Sequence, residues 1–237
     1  MEGWVQALGD GAVTVSFGTE VTEAAVCAVD ALRLSLERWP LAGMEELVPS
    51  YTSLTVFFDP DRVFLSRGGR AYSTASAWVS EALRERMARL NGEGGAGEGP
   101  LLEIPVCYEG ACAPDIDFVA AHTGLSVEEV IGLHLGSTYR VYLIGFVPGF
   151  PYMGLTDRRL AVPRRVEPRL RVAPGSVGLA GRQTGIYPLW TPGGWQLIGR
   201  TPVRLFDVGG DPVCLIRAGM RVCFRRIGLE EYETLSV

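Results

Sequence analysis

The sequence predicts a two-domain α+β protein, in which an N-terminal α/β sandwich is followed by a mainly β barrel. Residues 1–91 combine short strand-like segments with two long stretches of helical periodicity. Residues 92–100 are rich in glycine, which is typical of a flexible linker. Residues 101–237 hold many short strand-like segments separated by glycine and proline, the pattern of a barrel.

The elements of the N-terminal domain follow from alternation and helical spacing. Residues 13–17 alternate apolar and polar side chains, as a half-buried strand does. Apolar residues then recur at helical spacing from 21 to 39, and Pro40 ends that helix. The remaining elements of this domain are strands at 44–48 and 54–58 and a second helix at 70–90.

The second domain begins with a mixture of helices and strands. Residues 102–106 and 139–146 predict strands, and residues 115–122 predict a short helix that ends before Gly124. Ser126 and Glu129 form a capping box, which starts a helix over 127–135. Further short strands are predicted at 169–172, 195–198, 203–206, 213–216 and 221–227.

Composition and charge exclude several classes of function. A net charge of −5 and a pI near 5.2 argue against nucleic-acid binding, which needs a basic face. No apolar run approaches the length of a membrane span, and the start of the chain shows no signal segment, so we expect a cytoplasmic protein with reduced cysteines. All 22 basic residues are arginine. Schiff-base lysines, P-loop lysines, biotinylated lysines and Ser-Ser-Lys triads are therefore excluded.

Residues 145–201 are dense in glycine, proline and aromatic side chains. Such a run predicts a series of fixed turns rather than a helix or a long ladder. The motifs at 145–152, 163–165, 174–188 and 191–202 resemble those of one bacterial family, the B subunit of ATP-dependent 5-oxoprolinase. That family is also called the Kip-type sporulation-kinase inhibitor and allophanate hydrolase subunit 1. The resemblance extends over nearly the whole chain and implies a cyclophilin-like barrel for residues 101–237.

The resemblance also implies a function and partners. The chain would be a non-autonomous component that opens the 5-oxoproline lactam to glutamate together with a protein like the C subunit, and a protein of the A-subunit type is a further candidate partner. ATP, with Mg²⁺ as a candidate ion, would act with the partner subunits, and no cofactor would be bound covalently. Two alternatives stay open: a non-enzymatic inhibitor that binds a histidine kinase, and a carboxyltransferase-type subunit that acts on a urea-like amide.

The candidate site residues follow from this chemistry. Bidentate arginine suits a carboxylate or a phosphate, which makes Arg164, Arg165 and Arg169 candidates. Alternatively, these arginines cap carbonyls or pair with Glu167 or Asp157. The polar residues Gln183, Thr184 and Tyr187 would bind the lactam amide, and the aromatic residues Phe150, Tyr152 and Trp195 would form the pocket walls.

His134 is the candidate general base, because histidine titrates near neutral pH, although a packing role is the alternative. In these assignments His134, Arg164 and Arg165 are catalytic. The other seven residues, from Phe150 to Trp195, bind substrate. Cys107, Cys112 and His122 lack a fourth ligand, so no metal site is expected.

Overall fold

The computed structural model describes residues 3–66, 71–90 and 99–236. The chain divides into two compact units, Met1–Gly97 and Glu98–Val237. Residues 92–98 of the predicted linker lie outside the described residues, so the linker stays a prediction. No helix within the described ranges is long and apolar enough to cross a membrane.

The first unit contains a four-stranded antiparallel sheet with three helices. In chain order its elements are β1 (Trp4–Ala7), β2 (Ala12–Ser16), α1 (Glu23–Arg38), β3 (Met44–Pro49), β4 (Ser53–Phe58), α2 (Pro60–Leu65) and α3 (Ala75–Leu90). The strand order across the sheet is β1-β2-β4-β3. Thr22 caps α1, because its side-chain hydroxyl accepts the backbone N–H of Ala25.

One face of this sheet carries the core of the first unit. Val13 and Val15 alternate inward along β2, and Leu54 and Val56 lie beside them on β4. The buried stripes of α1 and α3 pack against these strands. The alternation and the helical spacing seen in the sequence thus correspond to one packed layer of helices on one sheet face.

The second unit is built on a closed barrel of seven strands. The barrel strands are β5 (Leu101–Cys107), β6 (Tyr139–Ile144), β7 (Pro151–Gly154), β9 (Ser176–Ala180), β10 (Gln183–Ile186), β12 (Gln196–Arg200) and β13 (Arg221–Ile227). A separate pair, β8 (Arg169–Val172) and β11 (Thr191–Gly193), forms a two-stranded sheet. The helices are α4 (Ile116–Thr123), α5 (Val127–Leu135) and α6 (Leu229–Leu235). The predicted α+β fold class with a C-terminal barrel is confirmed.

The barrel closes through one parallel pairing. Strands β13 and β5 run parallel, with Val222 beside Leu102 and Phe224 beside Ile104, whereas the other barrel pairings are antiparallel. The interior is filled by large apolar side chains, and α4 and α5 add apolar residues to the same core.

Two predicted strands, at 203–206 and 213–216, are wrong. The structure has a single bridge there, between Phe206 and Cys214, rather than two strands. Pro202 precedes the first segment and cannot donate to a ladder. In the turn between the segments, Asp207 Oδ1 accepts the backbone N–H of Gly209. Two backbone hydrogen bonds, from Asp207 to Val213 and from Leu215 to Leu205, join the segments in a short irregular hairpin.

Candidate functional site

A concave pocket of about 260 Å³ lies among the glycine- and proline-rich motifs of the second unit. We call it the aromatic pocket. It is lined by Phe146, Phe150, Tyr152, Arg164, Pro168, Tyr187, Pro192, Gly193, Gly194 and Trp195. The pocket brings together five of the ten predicted site residues from four separate sequence motifs: Phe150, Tyr152, Arg164, Tyr187 and Trp195.

The walls of the aromatic pocket form an edge-to-face cluster around Phe150. Its ring centroid lies 4.8 Å from that of Tyr152, 5.1 Å from Tyr187 and 5.5 Å from Trp195, with interplanar angles of 60–89°. Phe150 and Tyr187 are buried, and Tyr152 is half-buried. Edge-to-face packing of this kind restrains ring orientation, so the pocket is largely preformed.

Glycine in these motifs allows the backbone to approach the rings closely. A Cβ atom at Gly193 would lie 2.5 Å from the hydroxyl oxygen of Tyr187, and one at Gly185 would lie 2.9 Å from the ring of Phe150. Such contacts are well inside van der Waals distance, so any larger residue would displace a wall of the pocket. Gly185 and Gly193 are therefore explained by their packing against the aromatic rings.

Arg164 is the cationic group of the aromatic pocket. It is exposed and makes no hydrogen bond or ion pair with the described residues. Burial raises the pKa of Tyr152 and of Tyr187, and the nearby charge of Arg164 opposes that shift. Both phenols are therefore neutral near pH 7, and the guanidinium of Arg164 is available for an anion.

Arg165 and Arg169 both pair with the carboxylate of Asp115, a partner that no local sequence pattern predicted. Asp115, buried beside the start of α4, accepts from Arg169 Nη2 at 2.6 Å and from Arg165 Nη1 at 3.1 Å through Oδ1. Its Oδ2 accepts the backbone N–H of Leu197 at 2.7 Å.

Glu167 and Asp157, the two carboxylates that the sequence suggested as partners, form no ion pair with Arg164, Arg165 or Arg169. Arg165 Nε donates to the backbone carbonyl of Glu167 at 3.3 Å, so this arginine caps a carbonyl, but it makes no ion pair with the Glu167 carboxylate. Asp157 pairs with Arg159 instead. Two of the three guanidinium nitrogens of Arg165, Nε and Nη1, thus already have acceptors, so the contacts of this arginine favour a structural role over the predicted catalytic one.

A second cavity, of about 440 Å³, is also lined by Arg164, and we call it the arginine cavity. Its lining residues are Phe118, Pro163, Arg164, Arg165, Val166, Glu167 and Gln196. Gln196 is only 2% exposed, and its Nε2 donates to the carbonyl of Pro163 at 3.0 Å. Its Oε1 is buried and has no donor among the described residues. A buried acceptor without a donor costs about 1–3 kcal/mol.

His134 and Thr184 lie in the barrel interior, outside the lining of both cavities. The Thr184 hydroxyl donates to the carbonyl of Gly178, so it accepts from His134 Nε2 at 3.0 Å. Nδ1 of His134 then accepts from the hydroxyl of Tyr108 at 2.8 Å. Burial lowers the pKa of His134 to about 3, which keeps the ring neutral. Gln183 pairs with Gly154 between β10 and β7 and lines neither cavity.

The burial of His134 makes the stability of the protein depend on pH. The pKa of His134 is about 6.5 in the unfolded chain and about 3 in the folded one. The unfolded chain therefore binds a proton first as the pH falls, so the free energy of unfolding is highest above pH 6.5 and decreases towards pH 3. We expect the free energy of unfolding to fall by about 2 kcal/mol between pH 7 and pH 5. Urea unfolding at the two pH values measures it.

His134→Gln is the matched variant, because an amide keeps one donor and one acceptor but does not titrate. We expect a smaller pH slope for this variant than for the wild-type chain. An unchanged slope would contradict the assignment of His134 as the buried group that causes the pH dependence.

No group of three or more metal-binding side chains occurs among residues 3–66, 71–90 and 99–236. Cys107 and Cys112 are buried, and burial raises the pKa of the Cys112 thiol. His122 stacks on Phe118 at the surface of α4, with ring centroids 5.9 Å apart.

Comparison with known proteins places this geometry in a family. Residues 4–216 match the family described as carboxyltransferase domain, subdomain C and D. The B subunit of 5-oxoprolinase from Bacillus subtilis (strain 168) is 43% identical over 230 residues, covering 96% of this chain and 94% of that protein. The B subunit of 5-oxoprolinase from Escherichia coli O157:H7 is 41% identical over 220 residues, covering 92% and 93%.

Two solved structures have the same fold as this chain. The crystal structure of TTHA0988 superposes with a TM-score of 0.74 at 37% identity, covering 92% of this chain and 40% of that longer chain. The Kluyveromyces lactis urea carboxylase shares the fold at 19% identity, with a TM-score of 0.73 over 98% of this chain and 22% of that chain. The chain belongs to the family of 5-oxoprolinase B subunits, whose sequence carries subdomains C and D of the carboxyltransferase domain.

Proposed function

We propose that this chain is a non-autonomous subunit of an ATP-dependent 5-oxoprolinase, which opens the 5-oxoproline lactam to glutamate. The observation that carries the proposal is the aromatic pocket with Arg164, which has no partner among the described residues, at its edge. The curated relatives of this chain are named as the B subunit of that enzyme. The fold alone does not carry the proposal, since one fold hosts many activities.

The chemistry of the aromatic pocket matches a flat, neutral ring with one carboxylate. The aromatic rings that line the pocket accept the apolar side of a five-membered lactam. The guanidinium of Arg164 binds the carboxylate, and its planar fork fixes the orientation of that group. The neutral hydroxyls of Tyr152 and Tyr187 are able to hydrogen-bond to the lactam amide.

The described residues of this chain do not fit a complete ATP site. The sequence contains no lysine, and no cluster of three or more acidic, histidine or cysteine side chains occurs in the described ranges to hold Mg²⁺. We therefore assign ATP and Mg²⁺ to the partner subunits and derive no step through them on this chain. Its own contribution is to bind and orient the lactam.

Reconstitution tests the proposal. The chain is purified alone and with its C-type and A-type partner proteins, and release of glutamate from 5-oxoproline is measured with and without ATP. We expect activity only with the partners and ATP. A complete mixture that opens no lactam, while still forming a complex, would contradict the proposed activity.

A second candidate, a carboxyltransferase-type subunit, is favoured by the match to the carboxyltransferase domain family. The same mixture supplied with carboxybiotin and urea separates the two: carboxyl transfer without lactam opening would favour this second candidate.

Exposed apolar side chains on the segments around the two cavities support docking of a partner subunit. Val166 is 98% exposed, Leu170 91%, Phe146 60% and Trp190 55%. Leu170 lies on β8, and Trp190 directly precedes β11, the partner strand of β8. Large exposed apolar groups on neighbouring segments mark interaction surfaces. A partner docked here would cover the aromatic pocket and exclude water from it.

We expect Leu170→Asp to abolish co-elution with the C-type partner. A buried interfacial charge without a counter-ion typically weakens binding by two or more orders of magnitude. Size-exclusion chromatography of the co-expressed proteins measures it. Leu235→Asp is the control, because Leu235 is half-exposed on α6 and lines neither cavity. Co-elution of the Leu170 variant at wild-type levels would place the interface elsewhere.

A further inference from the structure

The arginine cavity carries both signs of charge, and two of its charged groups remain unpaired. Arg164 and Glu167 both line it, and neither side chain makes an ion pair with the described residues. Arg165 on the same wall is already paired with Asp115. The cavity therefore presents one cation and one anion that form no ion pair with each other.

Gln196 adds a hydrogen-bond acceptor that has no donor among the described residues. Its Nε2 is held by the carbonyl of Pro163, which fixes the orientation of the amide and leaves Oε1 as the unpartnered atom. Glu167 and this Oε1 are both acceptors. An oxyanion without hydrogen atoms would be repelled by both, whereas a ligand with N–H groups would satisfy them.

We propose that the arginine cavity binds a small acidic amino acid in its zwitterionic form. Its carboxylate pairs with Arg164, and its ammonium group donates to Glu167 and to Gln196 Oε1. The apolar walls formed by Phe118 and Val166 receive the methylene groups. The volume of about 440 Å³ accommodates such a molecule.

The proposed amino-acid site rests on the proposed function in one respect, because the amino acid that it binds would be the product of lactam opening. Hydrolysis of the lactam amide adds water across the C–N bond and yields a second carboxylate and an ammonium group. The product thus gains a cation that the aromatic pocket, with Arg164 at its edge, does not stabilise. The arginine cavity shares Arg164 and supplies the missing anion, Glu167.

Isothermal titration calorimetry on the full chain tests the site with L-glutamate and glutarate. Glutarate has both carboxylates of glutamate but no ammonium group. We expect glutamate to bind at least tenfold more tightly than glutarate. Glu167→Gln should remove that preference, and Glu230→Gln, on an exposed carboxylate of α6, should keep it. Gln196→Met keeps the side-chain size, lacks the acceptor and should weaken glutamate binding severalfold.

The outcomes separate the two proposals. Equal binding of glutamate and glutarate, no glutamate binding at millimolar concentration, or full preference in Glu167→Gln would each overturn the amino-acid site. Displacement of glutamate by inorganic phosphate at lower concentration would show an oxyanion site instead. If glutamate binds with the expected preference but the reconstituted enzyme opens no lactam, the proposed function fails and the amino-acid site stands.

Discussion

Replacement of Arg164 by lysine is expected to lower the rate of ATP-dependent glutamate release by about thirty- to a thousand-fold. Lysine keeps the charge but loses the planar fork that holds a carboxylate at two points. Losing one charge-assisted bidentate contact in a closed site costs about 2–4 kcal/mol of transition-state stabilisation. The measurement is kcat/KM for 5-oxoproline in the reconstituted complex.

The structure singles out Arg164 among the three neighbouring arginines. Arg165 and Arg169 already bind Asp115, whereas Arg164 has no partner among the described residues. Arg204→Lys is a suitable control, because Arg204 is exposed and pairs with Asp207 away from the aromatic pocket. Thermal stability and complex formation should be unchanged in both variants. A wild-type rate for the Arg164 variant together with a large loss for Arg165→Lys would show that the anion binds at Arg165 instead.

Replacement of Asp115 by alanine is expected to destabilise the second unit by about 3 kcal/mol. Removing one member of a buried ion pair leaves the other charge uncompensated, which costs about 3–5 kcal/mol when both partners are fully buried. Here Asp115 is 5% exposed while the side chains of Arg165 and Arg169 are 36% and 23% exposed, so solvent reduces the loss. Urea unfolding measures the change.

The Asp115 variant should also release glutamate more slowly in the reconstituted complex, because residues 163–169, which include Arg164, lose the contact that holds them. Asp115 binds this segment to strand β12 through Leu197. Asp117→Ala provides the control, because Asp117 is an exposed carboxylate two residues further along α4. A stability loss below about 0.5 kcal/mol, the range of ordinary surface substitutions, would mean that the cluster does not hold the segment.

Local signals in the sequence predicted the elements with strong periodicity. The capping box at Ser126 marks the start of α5, predicted and observed over residues 127–135. The helix predicted at 21–39 is observed as α1 and differs by at most two residues at either end. By contrast, no local pattern predicts β9 and β10, because glycine recurs every three or four residues through 174–188 and interrupts any alternation. Their strand conformation is stabilised by pairing with β12 and β7 in the closed barrel.

The sequence also predicted much of the aromatic pocket, because aromatic and glycine residues are adjacent within each motif. It did not predict Asp115 or Gln196 as parts of the site. Asp115 is separated from Arg165 by 50 residues and from Arg169 by 54, and an isolated aspartate at a helix start carries no local sign of a distant partner. Gln196 stands out only through the absence of a donor for its buried Oε1 among the described residues, which is a property of the packed structure.

Residue identity and short-range spacing were sufficient for the α+β class, the family and the set of side chains able to bind an anion and a flat ring. Which of those side chains are free to act depends on packing between distant segments. That packing pairs Arg165 and Arg169 with Asp115, encloses His134 in the barrel and leaves Arg164 lining two cavities. Burial and charge pairing arise only when such segments meet, so no local pattern specifies them.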